Sequence, residues 1–247
     1  IEQSKNGKDV VLTLDSELQS TVETQLQSTM ENENAKSAWC IVMEVETGKV
    51  LAWASYPTFD QNEHKEIPSY QDAISTSTYE PGSVMKPFTY ATAIDTNVYP
   101  YNKTYVSYQF WYDYDASTGK ITRLPIGTNS PYPYIADALD ENFGEITFDQ
   151  GLAFSSNVAI CELLANYINY SQYSKYLDAF GFFQKVNTPY VDQSLGVKNI
   201  GLPTDYLSTG FGQASSITVL QLCQAYTAIF NDGTMVRPYV IDSIVDS

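Results

Sequence analysis

An α/β domain of the α+β type, an antiparallel sheet with a helical lobe, is the fold this sequence predicts. Strand-like runs stand near both ends, at 9–14, 38–45, 50–54 and 235–245, and helical patterns fill much of the middle. No internal repeat, low-complexity tract or apolar run of membrane-spanning length interrupts that order. With 247 residues, 43% hydrophobic and 17% charged, the chain can bury a sizeable core and does not have a disordered composition.

Taken in order, Asp9 to Leu14 reads as a short strand. Ser16 and Gln19 have capping-box spacing, and Leu18, Val22, Leu26 and Met30 recur every four residues, which predicts a helix ending near Asn32–Asn34. Residues 38–45 and 50–54 are continuous apolar runs around Thr47-Gly48, a hairpin with strands expected to be buried on both faces. A polar loop follows through Tyr70. Glu80-Pro81-Gly82 signals a turn, with a helix expected from Ser83 and Pro87 in its first turn. Residues 99–134 read as an extended loop or small hairpin insertion. Its tyrosines, Tyr101, Tyr105, Tyr108, Tyr112 and Tyr114, either line a groove or cover a core. Helices are expected over 157–168 and 173–183, the second closed by Gly181, and 196–212 reads as loop. Thr218 and Gln221 again have capping-box spacing. They open a helix with Leu222, Tyr226, Ile229 and Phe230 as its apolar face, stopped by Asn231-Asp232-Gly233.

Charge and rare residues narrow the function. The net charge of −16, from 29 acids against 13 bases, opposes a phosphate backbone, so no nucleic-acid partner is expected. Cys40, Cys161 and Cys223 are odd in number and far apart, and read as small buried hydrophobes rather than a metal or disulfide framework. His64, the only histidine, falls in the polar loop and reads as a surface residue. A Ser-His-Asp triad would depend on it alone, which directs attention to a lysine-based serine site.

Ser83 and Lys86, three residues apart, would share one helix face. A serine hydroxyl needs a base to become a nucleophile, and a lysine serves when burial lowers its pKa. Alone, Ser-x-x-Lys is a weak signal, but here the serine follows a tight Pro-Gly turn. Ser155-Ser156-Asn157 lies about seventy residues on. Read alone it is an N-cap; read as chemistry, Ser155 relays a proton to a leaving amine and Asn157 binds a substrate amide.

The blocks around these residues are VVLTLDSELQ at 10–19, VMEVETGKVLAWASYPTFDQN at 42–62, YEPGSVMKPFT at 79–89, FDQGLAFSSNVA at 148–159, and GFGQASSITVLQLCQAYTAIFNDGTMVRPY at 210–239. In these blocks and their order the chain resembles the transpeptidase domain of class B penicillin-binding proteins. The resemblance implies a penicillin-binding-protein/serine β-lactamase-like fold and a single transpeptidase domain over 1–247, with a loop insertion at 99–134. It also implies a peptidoglycan D,D-transpeptidase that cross-links D-Ala-D-Ala stem peptides through a serine acyl-enzyme. Ser83 is then the nucleophile, Lys86 the base, Ser155 the proton relay and Asn157 a substrate-binding residue. No metal or other cofactor is implied. The family's Lys-Thr/Ser-Gly strand motif does not occur before Ser247, and Ser208-Thr209-Gly210, without a lysine, does not replace it. The domain is therefore expected to lack its C-terminal strands, and the chain alone to be inactive. β-Lactams, a glycan polymerase and a membrane reached through an N-terminal anchor outside this chain are the implied partners. The implied location is the extracytoplasmic face of the bacterial membrane. Two alternatives stay open: a non-catalytic scaffold of the same fold, and a serine β-lactamase or β-lactam sensor.

Overall fold

The computed structural model describes residues 7–60, 62, 71–189 and 191–246. In chain order, β1 (Lys8–Leu12) precedes α1 (Ser16–Glu33), β2 (Ala38–Met43), β3 (Val50–Tyr56), α2 (Ala73–Thr76) and β4 (Thr78–Tyr79). A 3₁₀ turn (Gly82–Met85) leads into α3 (Lys86–Asp95), followed by β5 (Thr104–Val106), β6 (Gln109–Asp115), β7 (Lys120–Leu124), β8 (Ile135–Ala136) and β9 (Glu145–Thr147). Then come α4 (Phe148–Ala153), α5 (Asn157–Asn166), α6 (Tyr170–Ala179), α7 (Pro203–Gly210), β10 (Ile217–Thr218), α8 (Val219–Phe230) and β11 (Ile241–Asp246). The chain forms two compact units: Ile1–Thr78 with Gln184–Leu195 and Thr218–Ser247, and Tyr79–Phe183 with Gly196–Ile217.

The first unit carries the terminal strands. β1 pairs antiparallel with β11, Val10 opposite Ile244, and β2 pairs antiparallel with β3, Ile41 opposite Trp53. Helix α1 keeps the expected half-buried stripe of Leu18, Val22, Leu26 and Met30. Its N-cap is Asp15 rather than Ser16, because the Asp15 carboxylate accepts from Leu18 N at 2.9 Å. Gln19 is thereby free to accept from Trp53 N at 2.8 Å and donate to Trp53 O at 3.0 Å, fastening α1 to β3. The hairpin is not buried on both faces. Val50, Ala52 and Ala54 are buried, whereas every residue of β2 is only half-buried. Ile74, Val186 and Leu220 form the core, flanked by Trp39, Ile41, Trp53 and Val219, and each fully buried aliphatic side chain contributes about 2 kcal/mol.

The capping box of Thr218 and Gln221 opens α8 as expected, but its inner face differs. Leu220, Gln221, Ala225 and Thr227 are buried, while Phe230 is 68% exposed. Gln221 turns inward because its amide donates to Gln184 O at 2.7 Å and Leu195 O at 3.0 Å. Tyr226 and Phe230 consequently stack on the outer side, 5.7 Å between rings.

The second unit is built around α3 and α5. Phe88 on α3 meets Phe180 and Phe182 edge-on, at 4.9 and 5.0 Å. Helix α5 is buried from Val158 through Leu164, so its sequence is apolar almost all round. In the 99–134 region, β6 pairs antiparallel with β7, Tyr112 opposite Arg123, and with β8, Phe110 opposite Ile135. β5 pairs with β9. Tyr105 and Tyr112 are buried, Tyr101 is 65% exposed, and Tyr108 and Tyr114 are half-buried. The region read as loop at 196–212 contains α7. Pro203 sits in its first turn, Asp205 supplies an early negative charge, and Tyr206, Leu207, Thr209 and Gly210 are buried. Its Gly, Ser and Thr content hides that helix from a reading by hydrophobic period. Of the three free cysteines only Cys161 is fully buried; Cys40 and Cys223 are half-buried.

Candidate active site

Ser83 does not open an α-helix. It lies exposed in the 3₁₀ turn, just after Gly82 at φ +66°, and the Lys86 amide donates to the Ser83 carbonyl. The α-helix begins at Lys86, with Pro87 in its first turn as expected. This junction separates two environments. The Ser83 side of the turn faces solvent, while Lys86 is 2% exposed.

The buried ammonium is satisfied by the second motif. Lys86 Nζ donates to the Ser155 carbonyl and, at 3.0 Å, to Ser155 Oγ. Burial lowers the Lys86 pKa to about 8, against the opposing pull of Asp137 and Cys161. The pair expected from the sequence is Ser83 with Lys86; the serine hydroxyl that Lys86 Nζ contacts is that of Ser155.

The 155–157 turn explains how one triplet serves two purposes. Its N-cap is Ser156, not Ser155: Ser156 Oγ accepts from Ala159 N at 3.1 Å. Ser155 stands between α4 and α5 at φ +58°, its amide bonded to Leu152 O at 3.0 Å, which leaves its hydroxyl available to Lys86. Asn157 is half-buried at the start of α5, and its Nδ2 donates to Ala136 O at 2.9 Å.

Sequence reasoning missed Asp137. This carboxylate is 3% exposed and accepts from Ser156 Oγ at 2.8 Å, Val158 N at 3.0 Å and Tyr108 N at 3.1 Å. No local motif marks it; it lies in an irregular segment that only the fold brings to the 155–157 turn. The other side of the serine turn is held by the 210–214 segment. Gly82 N donates to Gly212 O at 2.9 Å, and Ala214 N donates to Glu80 Oε1 at 2.7 Å. His64 lies outside the described residues. Among the described residues no group of three His, Cys, Asp or Glu side chains could hold a metal ion.

An exposed serine in a tight turn, a buried lysine behind it and a second serine on that lysine define a serine–lysine site on an α/β fold. The chain belongs to the penicillin binding protein transpeptidase domain family, whose model matches residues 38–247. It is 30% identical over 244 residues to the peptidoglycan D,D-transpeptidase FtsI homolog of Mesostigma viride, covering 95% of this chain and 39% of that relative. Penicillin Binding Protein 2X from Streptococcus thermophilus superposes with TM-score 0.83 at 26% identity, over 100% of this chain and 34% of that one. Penicillin binding protein 3 of Mycobacterium tuberculosis, solved in complex with aztreonam, superposes with TM-score 0.81 at 26% identity, over 97% of this chain and 51% of that one. The chain therefore spans well under half the length of the curated relative.

Proposed function

We propose that this chain is the transpeptidase domain of a peptidoglycan D,D-transpeptidase that works through a serine acyl-enzyme. Ser83 Oγ attacks the carbonyl carbon of the penultimate D-alanine as Lys86 takes the hydroxyl proton. The Ser83 amide supplies one donor to the developing oxyanion. As the C–N bond breaks, Ser155 Oγ passes its proton to the departing D-alanine amine and takes in its place the one that Lys86 received from Ser83. An amine of a neighbouring stem peptide then attacks the ester, forming the cross-link and restoring Ser83. Asn157 binds an amide of the substrate. The observation that carries the reading is the buried Lys86 Nζ on Ser155 Oγ at 3.0 Å, three residues from an exposed serine. Family membership supports the same reading. It also supports β-lactams as acylating ligands and a membrane-anchored enzyme on the extracytoplasmic face of the bacterial cell, working with a glycan polymerase.

Intact mass under denaturing conditions, before and after exposure to a penicillin, tests it on the protein extended through the family's Lys-Thr/Ser-Gly strand. A gain of one penicillin, absent in Ser83→Ala, is the expected result. A folded protein that carries that strand and gains nothing is instead a scaffold, and rapid release of the adduct with turnover of a chromogenic cephalosporin marks a β-lactamase.

A further inference from the structure

Asp137 is a buried carboxylate outside the serine–lysine pair, yet two of the three donors to it come from the second motif and the α5 start that follows it. One oxygen accepts from Ser156 Oγ (2.8 Å) and Val158 N (3.0 Å), and the other from Tyr108 N (3.1 Å). The first two donors flank the start of α5, directly after Ser155, whose carbonyl and hydroxyl hold Lys86. Ser155 itself has a left-handed backbone (φ +58°), a conformation that is unfavourable for a non-glycine residue and persists only where its surroundings enforce it.

We propose that Asp137 is the positioning residue of this site: its carboxylate clamps the Ser155–Ser156 turn and, through it, sets the place and charge of the Lys86 side chain. The inference rests on the acyl-transfer reading above for its kinetic consequence, but not for its structural one. A carboxylate that needed only solvation would accept from water. This one is 3% exposed and draws three donors from two segments, β5–β6 and the α5 start, onto a single point. The titratable groups it acts on are Lys86 and Tyr90 on α3, Tyr105 on β5 and Cys161 on α5, and Arg123 on β7 and Glu162 on α5 act on Tyr105 and Cys161 as well. Arg123 and Glu162 pair with each other, and burial keeps the Cys161 thiol and both phenols protonated. The negative charge of Asp137 accordingly acts on Lys86, where it favours the ammonium.

The test compares wild type, Asp137→Asn and Ser156→Ala, each in the protein extended through the family's Lys-Thr/Ser-Gly strand, by two readouts. The first is an NMR pH titration of ¹³C-labelled lysine, the Lys86 signal assigned by its loss in Lys86→Met. The second is the pH profile of penicillin acylation. In Asp137→Asn the Lys86 midpoint is expected to fall by about one pH unit, with the rising limb of the rate moving the same way and the plateau dropping about tenfold. Ser156→Ala keeps the charge and loses the clamp, so its plateau drops while its midpoint stays. An unmoved Lys86 midpoint in folded Asp137→Asn overturns the proposal. If Asp137→Asn does not fold, Ser156→Ala decides, and wild-type acylation by that variant overturns it. A wild-type protein that is never acylated sinks the acyl-transfer reading, while the lysine titration still decides the link between Asp137 and Lys86.

Discussion

Gly82 and Gly212 lock two distant segments of sequence at the serine turn. Gly82 N donates to Gly212 O at 2.9 Å, and a Cβ built on Gly212 would overlap the Gly82 backbone. Gly212 also has φ +86°, so Gly212→Ala meets both a steric and a conformational obstacle. The variant is expected to lose about 2 kcal/mol of stability in urea unfolding and to be acylated far more slowly. An unchanged unfolding midpoint would mean that the two segments are not in contact in solution.

The pH dependence of acylation follows from Lys86. Its amine must be neutral to take the Ser83 proton, and burial lowers its pKa from 10.5 to about 8. The acylation rate is expected to climb with pH through about 8 and level off above it. Stability changes in the same direction. Between about 8 and 10.5 the unfolded chain holds a proton that the folded chain has released, so stability rises with pH across that window. Below about 8 both states carry the proton and the cost of burying the ammonium is fully present. Lys86→Met should abolish acylation and flatten this contribution. A rate that is level from below to above pH 8 would remove Lys86 from the role of base.

Much of this site is legible in the sequence because its chemistry is carried by short local motifs. Ser83 with Lys86 and the 155–157 triplet sit on turns that Pro81-Gly82 and the capping pattern announce. What the sequence hides is the partition of roles that tertiary contacts impose. Nothing local says that Ser156 caps α5 while Ser155 meets the lysine, because both are serines at a helix start. Asp137 is invisible for the same reason, since its three donors come from residues 19, 21 and 29 positions away. The fold divides similarly. Periodicity finds α1, but α7 is masked by its Gly, Ser and Thr, and the inner face of α8 is set by the buried amide of Gln221 rather than by its largest apolar residues.

Ser155 allows backbone and hydroxyl to be separated. At φ +58°, glycine relieves the strained backbone, so Ser155→Gly should stay within about 1 kcal/mol of wild-type stability. It deletes the hydroxyl that Lys86 Nζ contacts at 3.0 Å, and the acylation rate should fall on the order of a hundredfold. Wild-type acylation by a stable Ser155→Gly would show that the relay runs through another group.

The ion pair of Arg123 and Glu162 anchors the β6–β7 hairpin to α5 and with it the helix that starts at Asn157. Arg123 also donates to Val106 O at 2.8 Å and Gln109 O at 3.0 Å, and its guanidinium lies 5.5 Å from the centre of the Phe110 ring. Glu162 accepts a further bond from Asn166 Nδ2 at 2.6 Å. The pair is mostly shielded, with side-chain exposures of 23% and 10%, so removing one partner strands the other in a poorly solvated place. Arg123→Ala is expected to cost about 3 kcal/mol in urea unfolding. Arg123→Ala combined with Glu162→Leu should recover part of that loss, because no charge is then left buried. The coupling is read from the double-mutant cycle. If the double variant is less stable than Arg123→Ala alone, the pair's contribution lies in packing around Phe110 rather than in the compensation of charge.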